Sequence, residues 1–94
     1  MSEIISLNEE QLPSDCYLFK HSTTCPISAD AAAEVRKYQW DLPLYWVNVI
    51  EQRPISNWVA ESYLVKHESP QLLYIRASKV TKVLNHRNIC EKNF

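Results

Sequence analysis

The amino-acid sequence predicts one small α/β domain organised around a mixed sheet of about four strands. Three observations carry that expectation. The chain has 94 residues, 46% of them hydrophobic, which is enough for one core and too little for two, so residues 1–94 are expected as a single domain. Short runs rich in aromatic and β-branched residues are interleaved with two longer segments whose apolar residues recur at helical spacing. The last two runs stand only two residues apart, as in a hairpin, whereas the earlier ones are separated by whole helical segments, as in parallel crossovers.

Residues 16–20, Cys-Tyr-Leu-Phe-Lys, are too few for a helix and are expected as a buried strand. After a polar break, residues 26–40 place Ile27, Ala31, Val35 and Tyr38 at helical spacing, with Asp30, Glu34 and Lys37 outside that stripe. Pro26 suits a first helical turn, and Leu42 before Pro43 closes the segment because the residue preceding proline is pushed away from the α region. Residues 44–50 are almost continuously apolar, as a central strand covered on both faces would be. A second helix begins at Pro54 and fades near Val65, with Ile55, Trp58, Val59, Ser62 and Tyr63 on one face. Residues 72–76 and 79–84 form the hairpin around Ala77-Ser78, although the usual Gly or Asn is missing from that turn. Residues 85–94 are expected to add a short C-terminal helix at most, and residues 6–12 read as the stub of an extra helix. Strand, helix, strand, helix and hairpin, in that order, are the core of the thioredoxin-like fold.

Composition removes several functions. A net charge of −1 with interspersed signs offers no basic cluster for nucleic acid or an anionic membrane. Glycine is absent, where about six or seven would be average for this length. Phosphate-cradling loops, dinucleotide fingerprints and nucleophile elbows all need glycine for close backbone approach or positive φ, so those enzyme classes are not expected. Three cysteines at irregular spacing suit neither a disulfide framework nor a zinc site. Residues 1–12 lack the charged start and apolar stretch of a secretion signal, and a cytoplasmic protein with reduced thiols is expected.

The sharpest chemical signal is Thr23-Thr24-Cys25-Pro26-Ile27-Ser28, where a strand hands over to a helix. Unpaired N–H groups and the partial positive charge of a helix start stabilise a thiolate, the nucleophile of disulfide exchange. Ser28 stands where a two-cysteine enzyme carries its resolving thiol, and its hydroxyl can donate to sulfur without forming a disulfide. A cysteine before a helix also fits an inert small hydrophobe, and on spacing alone that reading stays open. Pro70, after Ser69, directly precedes the third strand, at the place where thioredoxin-like folds carry a cis-proline facing the active cysteine, and an ordinary strand-start proline in trans fits the same position. Cys16 is separated from Cys25 by a strand, which at ~3.3 Å per residue exceeds disulfide reach, and is expected in the core. Cys90 lies in the tail as a bystander, or as a resolving thiol if the tail folds over Cys25. Trp40, Trp46 and Trp58 are assigned to packing.

Phe19-Lys20-His21-Ser22-Thr23-Thr24-Cys25-Pro26-Ile27-Ser28, Val49-Ile50-Glu51 with Arg53-Pro54 and Ser56-Asn57, and Val65-Lys66-His67-Glu68-Ser69-Pro70-Gln71 together make the chain resemble the monothiol bacilliredoxins of the YtxJ type. The resemblance implies a thiol-disulfide oxidoreductase that removes bacillithiol from mixed disulfides on proteins. It implies Cys25 as catalytic nucleophile, Thr24, Pro26, Ile27 and Ser28 as the rest of the active-site motif, and Ser69 and Pro70 as the platform for the substrate. No tightly bound cofactor or metal is expected, bacillithiol being a co-substrate. The expected partners are bacillithiolated proteins and a low-molecular-weight thiol, met by a monomer or weak homodimer. An anionic thiol would favour basic groups such as Lys20, His21, Arg53, Lys66 and His67. The competing reading is a thioredoxin-like adaptor or iron-sulfur-carrying module that uses the same cysteine without redox turnover.

Overall fold

The computed structural model describes residues 4–24 and 26–94. The elements run β1 (Ile4–Ser6), β2 (Cys16–His21), α1 (Pro26–Lys37), β3 (Leu44–Asn48), α2 (Arg53–Ser62), β4 (Gln71–Arg76) and β5 (Lys79–Asn85), followed by short 3₁₀ turns at His86–Asn88 and Glu91–Asn93. The strand order is β1-β3-β2-β4-β5. β3 is parallel to both β1 and β2, while β2–β4 and β4–β5 are antiparallel. This is the mixed sheet of a thioredoxin-like fold, with five strands rather than four.

The fifth strand is the correction at the N-terminal end. Residues 6–12 form no helix: Ile4–Ser6 pair with Leu44–Trp46, and the Leu7 amide extends the pairing by donating to the Trp46 carbonyl at 2.9 Å. β-Branched Ile4 and Ile5 suit an edge strand, and the buried Leu7 gives that segment an apolar anchor.

Strand alternation divides the core into two layers. Tyr17, Phe19, Leu44 and Leu72 join Ala31, Ala32 and Val35 of α1 on one face, with Trp40 and Ile89 completing the cluster. Cys16, Leu18, Val47, Leu73 and Ile75 join Val59 of α2 on the other, with Leu7. Tryptophans 40, 46 and 58 all pack against these clusters.

The ends of α1 and β3 have local causes. α1 stops at Lys37, short of Trp40, because the Trp40 indole folds back and donates to the Val35 carbonyl at 2.9 Å. Arg36 and Lys37 in the last turn complement the dipole. β3 ends at Asn48 rather than residue 50, since the Asn48 side chain accepts from the amides of Ile50 at 2.9 Å and Glu51 at 3.1 Å and turns the chain into α2. The buried face of α2 carries Ser56 and Val59, while Ser62, expected on that face, is exposed. Without glycine, positive φ falls on Leu64 (55°), Ala77 (52°), Ser78 (60°) and His86 (52°). Two successive positive φ values at Ala77 and Ser78 are what a two-residue hairpin turn of the favoured twist requires.

Candidate active site

Two chain segments meet at the C-terminal end of β2. Lys20 of β2 is paired with Gln71, the first residue of β4, so Pro70 stands one step further toward the loop that leads into α1. The Ser69–Pro70 peptide is cis, and Pro70 is buried. Ser69 lies outside the β2–β4 ladder, which begins at Gln71, and its hydroxyl is buried without a hydrogen-bond partner. The Pro70 carbonyl accepts from the His86 amide at 2.9 Å, which fixes the start of the tail beside this strand.

The facing segment is the β2–α1 loop. Ser28, in the first turn of α1, is fully buried, and its hydroxyl oxygen accepts from the Ser22 amide at 2.8 Å. Ser22 Oγ and Thr24 Oγ1 lie 3.0 Å apart, and the Thr24 amide donates to Ser22 Oγ at 3.3 Å. A compact serine-threonine turn thus leads up to Pro26, the first residue of α1. Thr24 and Pro26 are exposed and Ile27 is half-buried. Cys25, the expected nucleophile, lies outside the described residues.

The remaining cysteines are separated in space. Cys16 is fully buried in the layer under α2, where burial pushes its thiol up to about 11. Cys90 is half-buried in the tail, where it receives a hydrogen bond from Asn93 Nδ2 at 3.4 Å. The neighbouring Glu91 amide donates to Glu34 at 3.4 Å, two turns along α1. Cys90 lines one cavity with Ile27 of the first turn of α1, so the tail runs along that flank of the helix.

The basic residues expected beside the site divide sharply. Lys20 continues the Cys16–Leu18 alternation inward and is 0% exposed beneath α2, beyond the reach of a bound anion. Its Nζ donates to the Ser56 carbonyl at 3.1 Å and lies 3.2 Å from His67 Nδ1, which is also 3.4 Å from Ser56 Oγ. Burial lowers Lys20 to about 8. Burial, and then the Lys20 charge, also hold His67 below its ordinary value. His21 stacks on Phe19 and lies edge to face with Trp46 at 4.6 Å, with Arg36 over the Trp46 ring at 4.8 Å. Burial, reinforced by Arg36, keeps it below the usual imidazole range. Arg53 and Lys66 remain at the surface, Lys66 within 3.6 Å of Glu68. The Lys20–Ser56–His67 cluster had one signal in the sequence, the period-two alternation that turns Lys20 inward.

Sheet order, the helix-opening motif and the cis-proline strand together define a thioredoxin-fold thiol oxidoreductase. The sequence profile of the monothiol bacilliredoxin BrxC family matches residues 1–94, and the chain belongs to that family. A solved structure with a thioredoxin fold is similar at 29% identity with a TM-score of 0.84, over 96% of this chain and 88% of that one. Reduced thioredoxin pre-protein of Schistosoma mansoni matches at 16% identity and TM-score 0.62, over 93% and 89%. Reduced desulfothioredoxin of Desulfovibrio vulgaris Hildenborough matches at 23% and 0.52, over 87% and 84%. The last two likenesses are of fold alone.

Proposed function

We propose that this chain acts on mixed disulfides between proteins and bacillithiol, with Cys25 as its nucleophile. The Cys25 thiolate attacks the bacillithiol sulfur. A sulfur–sulfur bond forms between Cys25 and bacillithiol, the bond to the protein breaks, and the protein leaves as a thiolate that takes up a proton. A second thiol then attacks the Cys25 mixed disulfide and regenerates the enzyme. Bacillithiol is thus a co-substrate, and the reducing cytoplasm is the compartment this cycle suits.

The observation that supports a one-cysteine cycle is Ser28. Its hydroxyl is buried, engaged by the Ser22 amide, and stands where an internal resolving thiol would have to be. Cys16 is enclosed in the layer under α2, and in this reading the resolving thiol is supplied from outside. Ser69, held by the cis bond to Pro70, offers its main chain beside the same sheet end, the means by which an extended partner segment is held.

The test is de-bacillithiolation of a purified mixed-disulfide protein. Wild type, Cys16→Ser and Cys90→Ser are expected to release the protein thiol and to acquire a bacillithiol adduct on Cys25, read by mass spectrometry. Retained activity in Cys25→Ser overturns the assignment.

A further inference from the structure

One cavity borders the helix-opening motif at Ile27 and reaches the tail turn that is bonded to Pro70. It has a volume of about 420 Å³ and runs between the flank of α1 and the first tail turn, lined among others by Ile27, Asp30, Glu34, His86, Arg87 and Cys90. Ile27 belongs to the active-site motif, and the His86 amide is bonded to the Pro70 carbonyl at 2.9 Å. The volume lies within the ~300–1,000 Å³ range of small-molecule pockets.

Its charges are arranged in a way the fold itself leaves unused. Glu34 is committed to Lys37 at 2.8 Å and to the Glu91 amide, and His86 is committed to Glu68 at 2.9 Å. The Arg87 guanidinium and the Asp30 carboxylate make no ion pair or hydrogen bond with another described residue, and both are exposed. One wall therefore offers a planar fork of donors suited to a carboxylate, and the other a carboxylate suited to an ammonium.

We infer that this cavity is the subsite for the small-molecule half of the mixed disulfide, taking a low-molecular-weight thiol that carries both carboxylate and ammonium groups. The inference deepens the reading of Cys25 as nucleophile and rests on it. Arg87 and Asp30 are its specificity-determining residues. Lys20, expected from the sequence to serve an anionic thiol, is enclosed beneath α2, and the half-buried His21 ring is packed against Phe19 and Trp46.

The test compares two mixed disulfides of one protein, the first with bacillithiol and the second with uncharged mercaptoethanol. Arg87→Gln is expected to raise KM for the bacillithiol disulfide about tenfold, the loss of one charge-assisted pair, and to lower the preference over the uncharged disulfide by the same factor. Asp30→Asn should shift that preference in the same direction. A readout without turnover uses S-methylated bacillithiol, which cannot exchange: it should slow alkylation of Cys90 in wild type and much less in Arg87→Gln. Unchanged preference and unprotected Cys90, in an enzyme whose activity still requires Cys25, overturn the subsite alone. Activity that persists in Cys25→Ser overturns the parent reading instead.

Discussion

Lys20 allows a quantitative test of how this fold is held together. It is wholly enclosed beneath α2, and among the described residues its Nζ meets a backbone carbonyl and a histidine but no carboxylate. Burial lowers its pKa from 10.5 to about 8. At 1.36 kcal/mol per unit, the charged form costs the folded state about 3 kcal/mol at neutral pH. Replacement by Met, of similar length and apolar, removes that cost but also the donors to Ser56 and His67, each worth ~1 kcal/mol. Lys20→Met is therefore expected to stabilise the domain by about 1–2 kcal/mol at pH 7, read by urea unfolding under reducing conditions.

The sign of the pH dependence separates this account from a simple packing effect. Between about 8 and 10.5 the unfolded chain holds the Lys20 proton and the folded one does not, so stability contributed through this group rises with pH. Cys16 acts oppositely: its thiol, raised from 9.0 to about 11, keeps its proton in the folded state while the unfolded chain ionises, and stability falls across that interval. The absolute curve of the wild type mixes both. The difference between Lys20→Met and wild type does not: the mutant's advantage should shrink above pH 8, vanish near about pH 9 and reverse by about pH 10.5, where the wild type keeps its hydrogen bonds at no charge cost. An advantage that is constant with pH, or a mutant less stable at pH 7, refutes the reasoning.

Two further substitutions probe local backbone and loop energetics. Leu64 is 91% exposed and holds φ 55° just past α2, where the Val65 amide closes back on the Ala60 carbonyl at 3.1 Å; this helix-ending position favours glycine, so Leu64→Gly should raise stability by about 1 kcal/mol, a Tm increase of about 4–8 °C by calorimetry. Ser28→Ala removes the acceptor of the Ser22 amide and should cost about 1–2 kcal/mol in urea unfolding, whereas Ser28→Thr should recover part of that loss by keeping the hydroxyl.

How much of this molecule was legible in the sequence depended on whether the information was local. Strand runs and helix stripes are nearest-neighbour patterns, and the strands starting at Cys16, Leu44 and Lys79 and the helix starting at Pro26 begin where the residues predict. Ends set by one side chain folding back were legible only in hindsight: the Trp40 indole on Val35 ends α1, and the Asn48 carboxamide ends β3. β1 was missed because three residues carry too little periodicity to outweigh the polar stretch after them, and its stability comes from pairing with β3, distant in the chain.

The candidate site divides along the same line. A helix-opening Cys-x-x-Ser motif and a proline before a strand are local, and the register Lys20↔Gln71 then brings the two segments to one end of the sheet. Charge in a site is decided by burial and partners, neither of which is written locally. Lys20 reads as a surface cation and is enclosed, while Arg87, in a tail with no clear pattern, stands unpaired at the mouth of a cavity. A basic residue near a reactive thiol in sequence is therefore weak guidance to what binds the substrate. The stronger guidance is which charges stand without partners at a cavity, and around the cavity beside α1 those are Arg87 and Asp30.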